Sequence, residues 1–302
     1  EGQIMFMESF KRYAEDLGME VIDVNADNNV EEQDRQCSDL IAQGVNALVT
    51  VPVDSEAIVA CVDRATDAGI PVFGIDRQPF SPDTVMTVMS NNYQAGQQGA
   101  QCVVDRLTEK YGEPTGIVLE ITGDLGTNVA QLRGNGFNDE MANYPDIEVI
   151  TQPTDWLPET GADVVQSTLA AEPELDAVYW HSDFTGAGVI PAMEEIGFLK
   201  PVGEEGHIYV CGIDGDPASL DRIRAGSQDA TVNQPMLDFG VLAEFVKKYL
   251  DGEELSTGTY EQDGAMWSPA EIEDTEYGLT MLLGTWLVTQ ENVEDPTLWG
   301  NQ

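Results

Sequence analysis

The sequence predicts an α/β fold: two doubly wound lobes with parallel sheets, joined by a hinge that the chain crosses more than once. Three observations lead there. An apolar run, Ile70-Pro71-Val72-Phe73-Gly74-Ile75, ends abruptly in Asp76-Arg77. A second run, His207-Ile208-Tyr209-Val210-Cys211-Gly212-Ile213, ends in Asp214-Gly215. Around them, short apolar runs alternate with stretches whose apolar residues recur at helical spacing. A parallel strand covered on both faces is apolar along its length. The first polar residues after it therefore lie at its carboxyl end, where open α/β sheets bind ligands. The echo of Gly-Ile-Asp in two halves implies two similar lobes, each offering an aspartate to a shared cleft.

Each element follows from local pattern. Phe6, Phe10, Tyr13 and Leu17 recur at helical spacing and Gly18 stops them, giving a helix over residues 4–17. Residues 19–24 read as a strand. Asp27-Asn28-Asn29 then makes a turn and caps a helix to about Gln43. A strand at 47–51, a helix from Pro52-Val53-Asp54-Ser55 to Gly69, and the first Gly-Ile-Asp strand follow. Residues 85–92 leave the first lobe as a strand, and helix 93–111 with strand 116–121 begins the second. The loop 122–127 leads into a helix carrying Gln131 and Arg133. Strands at 147–152, 177–181, 207–214 and 230–233 alternate with helices at 158–171, 184–197 and 217–225. Gln234-Pro235 marks a return crossing before helix 236–251. An acidic, Gly-containing segment over 252–280, a strand at 282–289 and a tail with Pro296 and Trp299 complete the chain. Such alternation implies parallel sheets with right-handed crossovers. The expected lobes are 1–90 with 235–280, and 91–234 with 281–302. A doubly wound lobe ordinarily opens on a strand and this sequence opens on a helix. A strand ahead of Glu1, or one supplied from elsewhere, is therefore expected beside residues 19–24.

At 302 residues the chain has room for two moderate cores. Thirteen Lys+Arg stand against 55 Asp+Glu, a net charge of −42. That field repels phosphate backbones and excludes nucleic acid as a partner. The acids are spread along the whole chain, as on a surface suited to high salt. No apolar run is long enough to span a bilayer and no leader is present. The chain is thus either cytosolic or already processed. Of the cysteines Cys37, Cys61, Cys102 and Cys211, none forms a Cys-x-x-Cys pair. His181 and His207 lack ligand spacing, so neither a metal site nor a cofactor is expected. Cys37 and Cys61 fall on successive helices: a disulfide in an oxidising compartment, or two buried thiols.

The order of short motifs resembles the ribose/galactose-type periplasmic sugar-binding proteins, the receptors of ABC importers, whose fold is the type I periplasmic-binding-protein fold. The motifs are Asp54-Ser55, Ile70-Pro71-Val72 with Asp76-Arg77, and Gly126-Thr127 with Arg133-Gly134 and Gly136-Phe137. Gly212-Ile213-Asp214-Gly215 and Gln234-Pro235 complete the series, which runs from about residue 8 to 250 and again near 287–293. The resemblance implies ligand-gripping roles for Asp76, Arg77, Arg133, Ser182, Asp214 and Gln234, and an aromatic face at Trp156 stacked on a sugar ring. Carboxylates accept from adjacent hydroxyls, a guanidinium donates to two at once, and an aromatic face covers the C–H side of the ring. It also implies a monomer without catalytic residues that hands a monosaccharide or sugar-like polyol to a membrane permease. The place implied is a periplasm or the outer face of a membrane, free or lipid-anchored. Val51 and Ser182 replace asparagines of the ribose pattern, and Gly2-Gln3 stand where an aromatic pair is expected. These departures argue against ribose itself.

Each of these residues also has an ordinary structural reading. Asp76 and Asp214 suit a turn or helix cap, Arg133 a salt bridge, and Trp156 the core. Trp180 reads as packing and His181 as a satisfied strand-end histidine. Asp23-x-Asn25-x-Asp27 reads as turn chemistry, because it lacks the sixth-position glycine of a calcium loop. Gly123-x-x-Gly126 lacks the lysine of a phosphate loop. Two other functions fit the fold: the effector domain of a sugar-responsive transcription regulator or chemoreceptor-linked sensor, and a glycosidase with Asp76 and Asp214 as its carboxylate pair.

Overall fold

The computed structural model describes residues 2–302. In chain order it opens with α1 (Gly2–Asp16), α2 (Val30–Gln43), β1 (Leu48–Thr50), α3 (Val59–Asp67), β2 (Val72–Ile75), β3 (Thr84–Ser90) and α4 (Asn92–Tyr111). Next come β4 (Gly116–Thr122), α5 (Asn128–Met141), β5 (Ile147–Pro153), α6 (Pro158–Ala171), β6 (Ala177–Trp180) and α7 (Asp183–Glu195). Then follow β7 (Tyr209–Asp214), α8 (Pro217–Ala225), β8 (Ala230–Asn233), α9 (Leu242–Leu250), β9 (Gly258–Tyr260), β10 (Ala270–Thr275), β11 (Gly278–Leu283) and β12 (Trp286–Val288).

The chain forms two compact units. Unit 1 runs to Asn91 and takes in Gly126–Val129 and Pro235–Gly284. Unit 2 comprises Asn92–Leu125, Ala130–Gln234 and Thr285–Gln302. Unit 1 holds a six-stranded sheet of order β1-β2-β3-β11-β10-β9. Its first four strands are parallel and β9 and β10 are antiparallel additions. Unit 2 holds a second six-stranded sheet, β12-β8-β7-β6-β4-β5, parallel except where β12 meets β8. Every residue of β2, β6 and β8 is buried, as strands covered on both faces require.

Several sequence expectations need correction. Residues 19–24 form no strand: β1 is the outermost strand of its sheet, so these residues have no ladder partner, and Ile22 and Val24 are about half exposed. The helix expected from Pro52 begins only at Val59, after a turn built on Asp54, whose Oδ1 accepts from Glu56 and Ala57 N–H. The helix expected over 236–251 is a 3-10 turn, Phe239–Val241, followed by α9. The turn is fixed from α1: Ser9 Oγ donates to Leu237 O (2.7 Å) and accepts from Gly240 N–H.

The largest departure is at 252–280, which holds β9, β10 and the start of β11. Ala270 and Ile272 point inward between exposed Glu271 and Glu273. The expected strand over 282–289 is two strands, β11 in unit 1 and β12 in unit 2. Gly278 admits β11 beside β3: a Cβ there would lie 1.9 Å from Thr84 O, and its φ of 87° suits glycine.

Cys37 on α2 and Cys61 on α3 form a disulfide, which decides between the two readings of that pair. Among the described residues no helix is long and apolar enough to cross a membrane. Among the same residues no three His, Cys, Asp or Glu side chains gather as a metal would require.

Candidate functional site

Five of the seven residues singled out in the sequence meet in unit 2. Its parallel strands end together: Ser182 is the second residue beyond β6, Asp214 the last of β7, and Gln234 the first beyond β8. Asp214 is the centre of this group. Its φ of 131° is unusual for a residue with a side chain, and Gly215 follows at 78°. The backbone there is clamped: Asp214 O accepts from Gln234 N–H (3.1 Å) and from Trp299 Nε1–H (2.7 Å).

The Asp214 side chain accepts from four donors. Oδ2 takes Ser182 Oγ at 2.6 Å and Asp183 N–H at 3.2 Å. Oδ1 takes Arg133 Nη1 at 3.4 Å and Gln234 Nε2. Ser182 also caps α7, accepting from Phe184 N–H, so the cap and the hydrogen bond to Asp214 are made by one hydroxyl. Arg133 enters from α5. Its Nε donates to Asn92 Oδ1 (2.9 Å), the first residue of α4, and its Nη1 to His181 O. The salt-bridge reading of Arg133 is thus met by a member of the site itself.

Trp156 lies in the loop between β5 and α6 with φ 72°. Thr185 Oγ1 donates to its carbonyl (2.8 Å), and the Arg133 guanidinium stands 5.9 Å from its ring centroid. Gly123 makes room for the indole, since a Cβ there would meet the ring at 2.2 Å.

Burial dominates the electrostatics of the group. It pushes the Asp214 carboxyl up to about 7; Arg133 opposes the rise and Asp183 adds to it. Asp216, two residues on, is raised to about 6, first by burial and then by Asp183. A partly desolvated acid ringed by donors gains from every further hydroxyl that donates to it.

Asp76 and Arg77 meet in unit 1 at the carboxyl end of β2. Asp76 takes φ 64°, its N–H donates to Val88 O (2.8 Å), and Arg77 N–H donates back to Ile75 O (2.7 Å). The strand therefore turns within three residues and leaves both side chains at its tip. Arg77 Nη1 donates to Pro52 O (3.0 Å) and Val53 O (3.3 Å), and Arg77 Nε lies 4.0 Å from Asp76 Oδ2.

Sequence reasoning missed the supports of these groups. Asp183 is fully buried and accepts from Trp180 Nε1 (2.9 Å), Gly215 N–H (2.9 Å), Thr231 Oγ1 (2.6 Å) and Gln228 Nε2 (3.3 Å). It thereby holds the turn that carries Asp214. Glu120 on β4 is also fully buried, taking Asn138 Nδ2 (3.0 Å), Thr151 Oγ1 (2.8 Å) and His181 Nε2 (3.0 Å). Burial lowers the His181 pKa, so the ring is neutral and the nitrogen facing the carboxylate carries the proton. The signal for both acids was available: a lone Glu inside the apolar run Ile117–Ile121, and an Asp directly after a strand's polar end.

The comparisons agree with this architecture. Residues 4–254 match the family described as periplasmic binding protein domain. The ribose import binding protein of Bacillus subtilis is 31% identical over 241 residues, 80% of this chain and 74% of that protein. The ribose import binding protein of Salmonella typhimurium is 29% identical over 246 residues, 81% and 79% of the two chains. Among solved structures, an ABC transporter solute binding protein from Mycobacterium smegmatis with bound glycerol superposes with a TM-score of 0.81 at 25% identity. That match covers 97% of this chain and 91% of the other. The two-sheet α/β fold is thus the type I periplasmic-binding-protein fold, and the chain belongs to the periplasmic binding protein family.

Proposed function

We propose that this protein captures a monosaccharide or sugar-like polyol and presents it to the permease of an ABC importer, making and breaking no bond. The observation that carries this reading is the convergence of Arg133, Ser182, Asp214 and Gln234 at the strand ends of unit 2, with Trp156 alongside. A carboxylate, a guanidinium, a hydroxyl and an amide match the mixed donors and acceptors of adjacent sugar hydroxyls. Gln234 Oε1 is buried and has no hydrogen-bond partner among the described residues, which suits a hydroxyl donor from a ligand. The indole offers an apolar face for the ring. Asp76 and Arg77 at the tip of β2 are ligand-binding residues in this reading. The relatives named for ribose and the glycerol-bound structure support the chemical class. Val51 and Ser182 favour a pentose, hexose or polyol other than ribose. The protein acts outside the cytoplasm, free or lipid-anchored, as a monomer, and the net charge of −42 keeps it off nucleic acids.

A thermal-shift screen over monosaccharides and polyols tests this. A binder gains RT ln(1 + [L]/Kd), about 2.7 kcal/mol at a hundredfold excess over Kd. At least one sugar raises the melting temperature, and Asp214→Ala and Asp76→Ala each abolish that rise. No hit across the panel, or full response in both variants, overturns the proposal. Release of product from an aryl glycoside would replace it with an enzyme.

A further inference from the structure

The tail after β12 packs on α8 and ends in a 3-10 turn, Trp299–Asn301, against the turn that carries Asp214, all within unit 2. Trp299 Nε1–H donates to Asp214 O at 2.7 Å, and Gln234 N–H donates to the same oxygen at 3.1 Å. Gly300 lies against the next peptide: a Cβ there would come within 2.6 Å of Gly215 O. The tail has anchors of its own. Val293 and Leu298 are buried in one cluster with Val288 of β12 and with Leu220 and Ile223 of α8. Arg224 pairs with Glu294 (2.9 Å) and donates to Val293 O (3.2 Å), and Gln290 Nε2 donates to Ile223 O (3.0 Å). Asn301 Nδ2 closes the turn onto Val293 O and Asp295 O, both at 2.8 Å. The family match ends at residue 254, and this tail lies beyond it.

We propose that Trp299 is a positioning residue for ligand capture: by holding the Asp214 carbonyl it sets the direction of the Asp214 carboxylate. The proposal rests on the reading of Asp214 as a ligand-binding acid. Its physical basis is backbone strain. Asp214 has φ 131°, a region that a residue with a side chain enters only where its surroundings hold it there. Relaxation to ordinary strand backbone at this last residue of β7 would re-aim the carboxyl away from Ser182, Arg133 and Gln234. A carbonyl oxygen has two lone pairs, and here both are used. One donor is the main chain just past β8, and the other is an indole fixed by a buried tail. Together they fix the plane of the peptide that follows Asp214. The β12–β8 ladder ties the same tail to the strand that ends just before Gln234. The indole N–H donates to a main-chain atom, so its effect on a ligand passes through Asp214.

Trp299→Phe in the full chain keeps an aromatic ring in the tail and removes the donor. The first readout is the 13C NMR titration of the Asp214 carboxyl in the unliganded protein, assigned by its loss in Asp214→Asn. Burial sets that midpoint at about 7. Released, the carboxyl turns toward water, and the midpoint should fall by about one pH unit or more. The second readout is calorimetry with the sugar found by the screen, where affinity should fall about tenfold. The melting temperature should stay within a few degrees of the parent. Gly300→Ala, which presses a methyl onto Gly215 O, should also weaken binding while the indole donor is kept. An Asp214 midpoint unchanged in Trp299→Phe overturns the proposal, whether affinity holds or falls together with the melting temperature, because the tail is then only structural. A parent chain that binds no sugar overturns the reading of the site instead, and the titration of the unliganded protein alone then decides whether Trp299 sets the carboxyl.

Discussion

Asp214 ties ligand affinity to pH. In the free protein burial raises its carboxyl to about 7, so the group holds a proton in mildly acidic solution. A neutral sugar that donates hydroxyls to its oxygens favours the carboxylate and expels that proton. Affinity should then rise about tenfold per pH unit below pH 6, about 50-fold between pH 5 and 7, and level off above about pH 8. Stability of the unliganded protein runs the other way. The raised value exceeds the ordinary 3.8 by 3.2 (7 − 3.8), so ionisation costs the folded state up to about 4 kcal/mol. That cost is absent below about pH 4 and complete above about pH 7, so this group alone makes stability fall across that window.

Titration calorimetry with the sugar identified by the screen checks the linkage. At about pH 6, runs in buffers of different ionisation enthalpy should show nearly one proton released per ligand bound. Asp216, raised to about 6, is the nearest competing source, and Asp216→Asn should keep most of the release. Asp214→Asn should flatten the pH profile of whatever binding remains. An affinity that is level from about pH 5 to 8, or that tightens on acidification, refutes the role given to Asp214.

Gly123→Ala pushes a methyl into the Trp156 indole, 2.2 Å from its ring atoms, and should weaken sugar binding at least tenfold with little change in melting temperature; unchanged affinity by calorimetry would show that the indole does not touch the ligand. Asp183→Asn turns an amide N–H toward one of four donors and should cost about 3 kcal/mol, read as a lower urea midpoint at unchanged slope. With a net charge of −42, raising KCl from about 0.1 to 1 M shortens the screening length from about 10 to 3 Å and should raise the melting temperature. A melting temperature that falls with salt would mean that the acids are paired rather than mutually repelling.

The elements legible in the sequence were those with a strong local pattern. β2 and β7 stood out because a strand buried on both faces has no polar residue until its tip. The cap at Asn29 was readable because its side chain bonds to an N–H three residues on. β10 and β11 were missed. Glu271 and Glu273 mask the inward Ala270 and Ile272, and what fixes the hairpin is non-local pairing of β11 with β3. Residues 19–24 failed in the opposite sense: their apolar, β-branched content suits a strand, yet a strand exists only through a neighbour.

From residues alone came the fold class, the alternation of elements and the acidity, while the set of ligand-gripping side chains was what the resemblance of the motif order implied. The first three depend on composition and on spacing within a few residues. Only the tertiary structure decided that Cys37 pairs with Cys61, and that Arg133, Ser182, Asp214 and Gln234 share hydrogen bonds. The same is true of the buried Asp183 and Glu120 that brace them. Those contacts join residues up to 81 positions apart, and their energies depend on burial, which a sequence does not state.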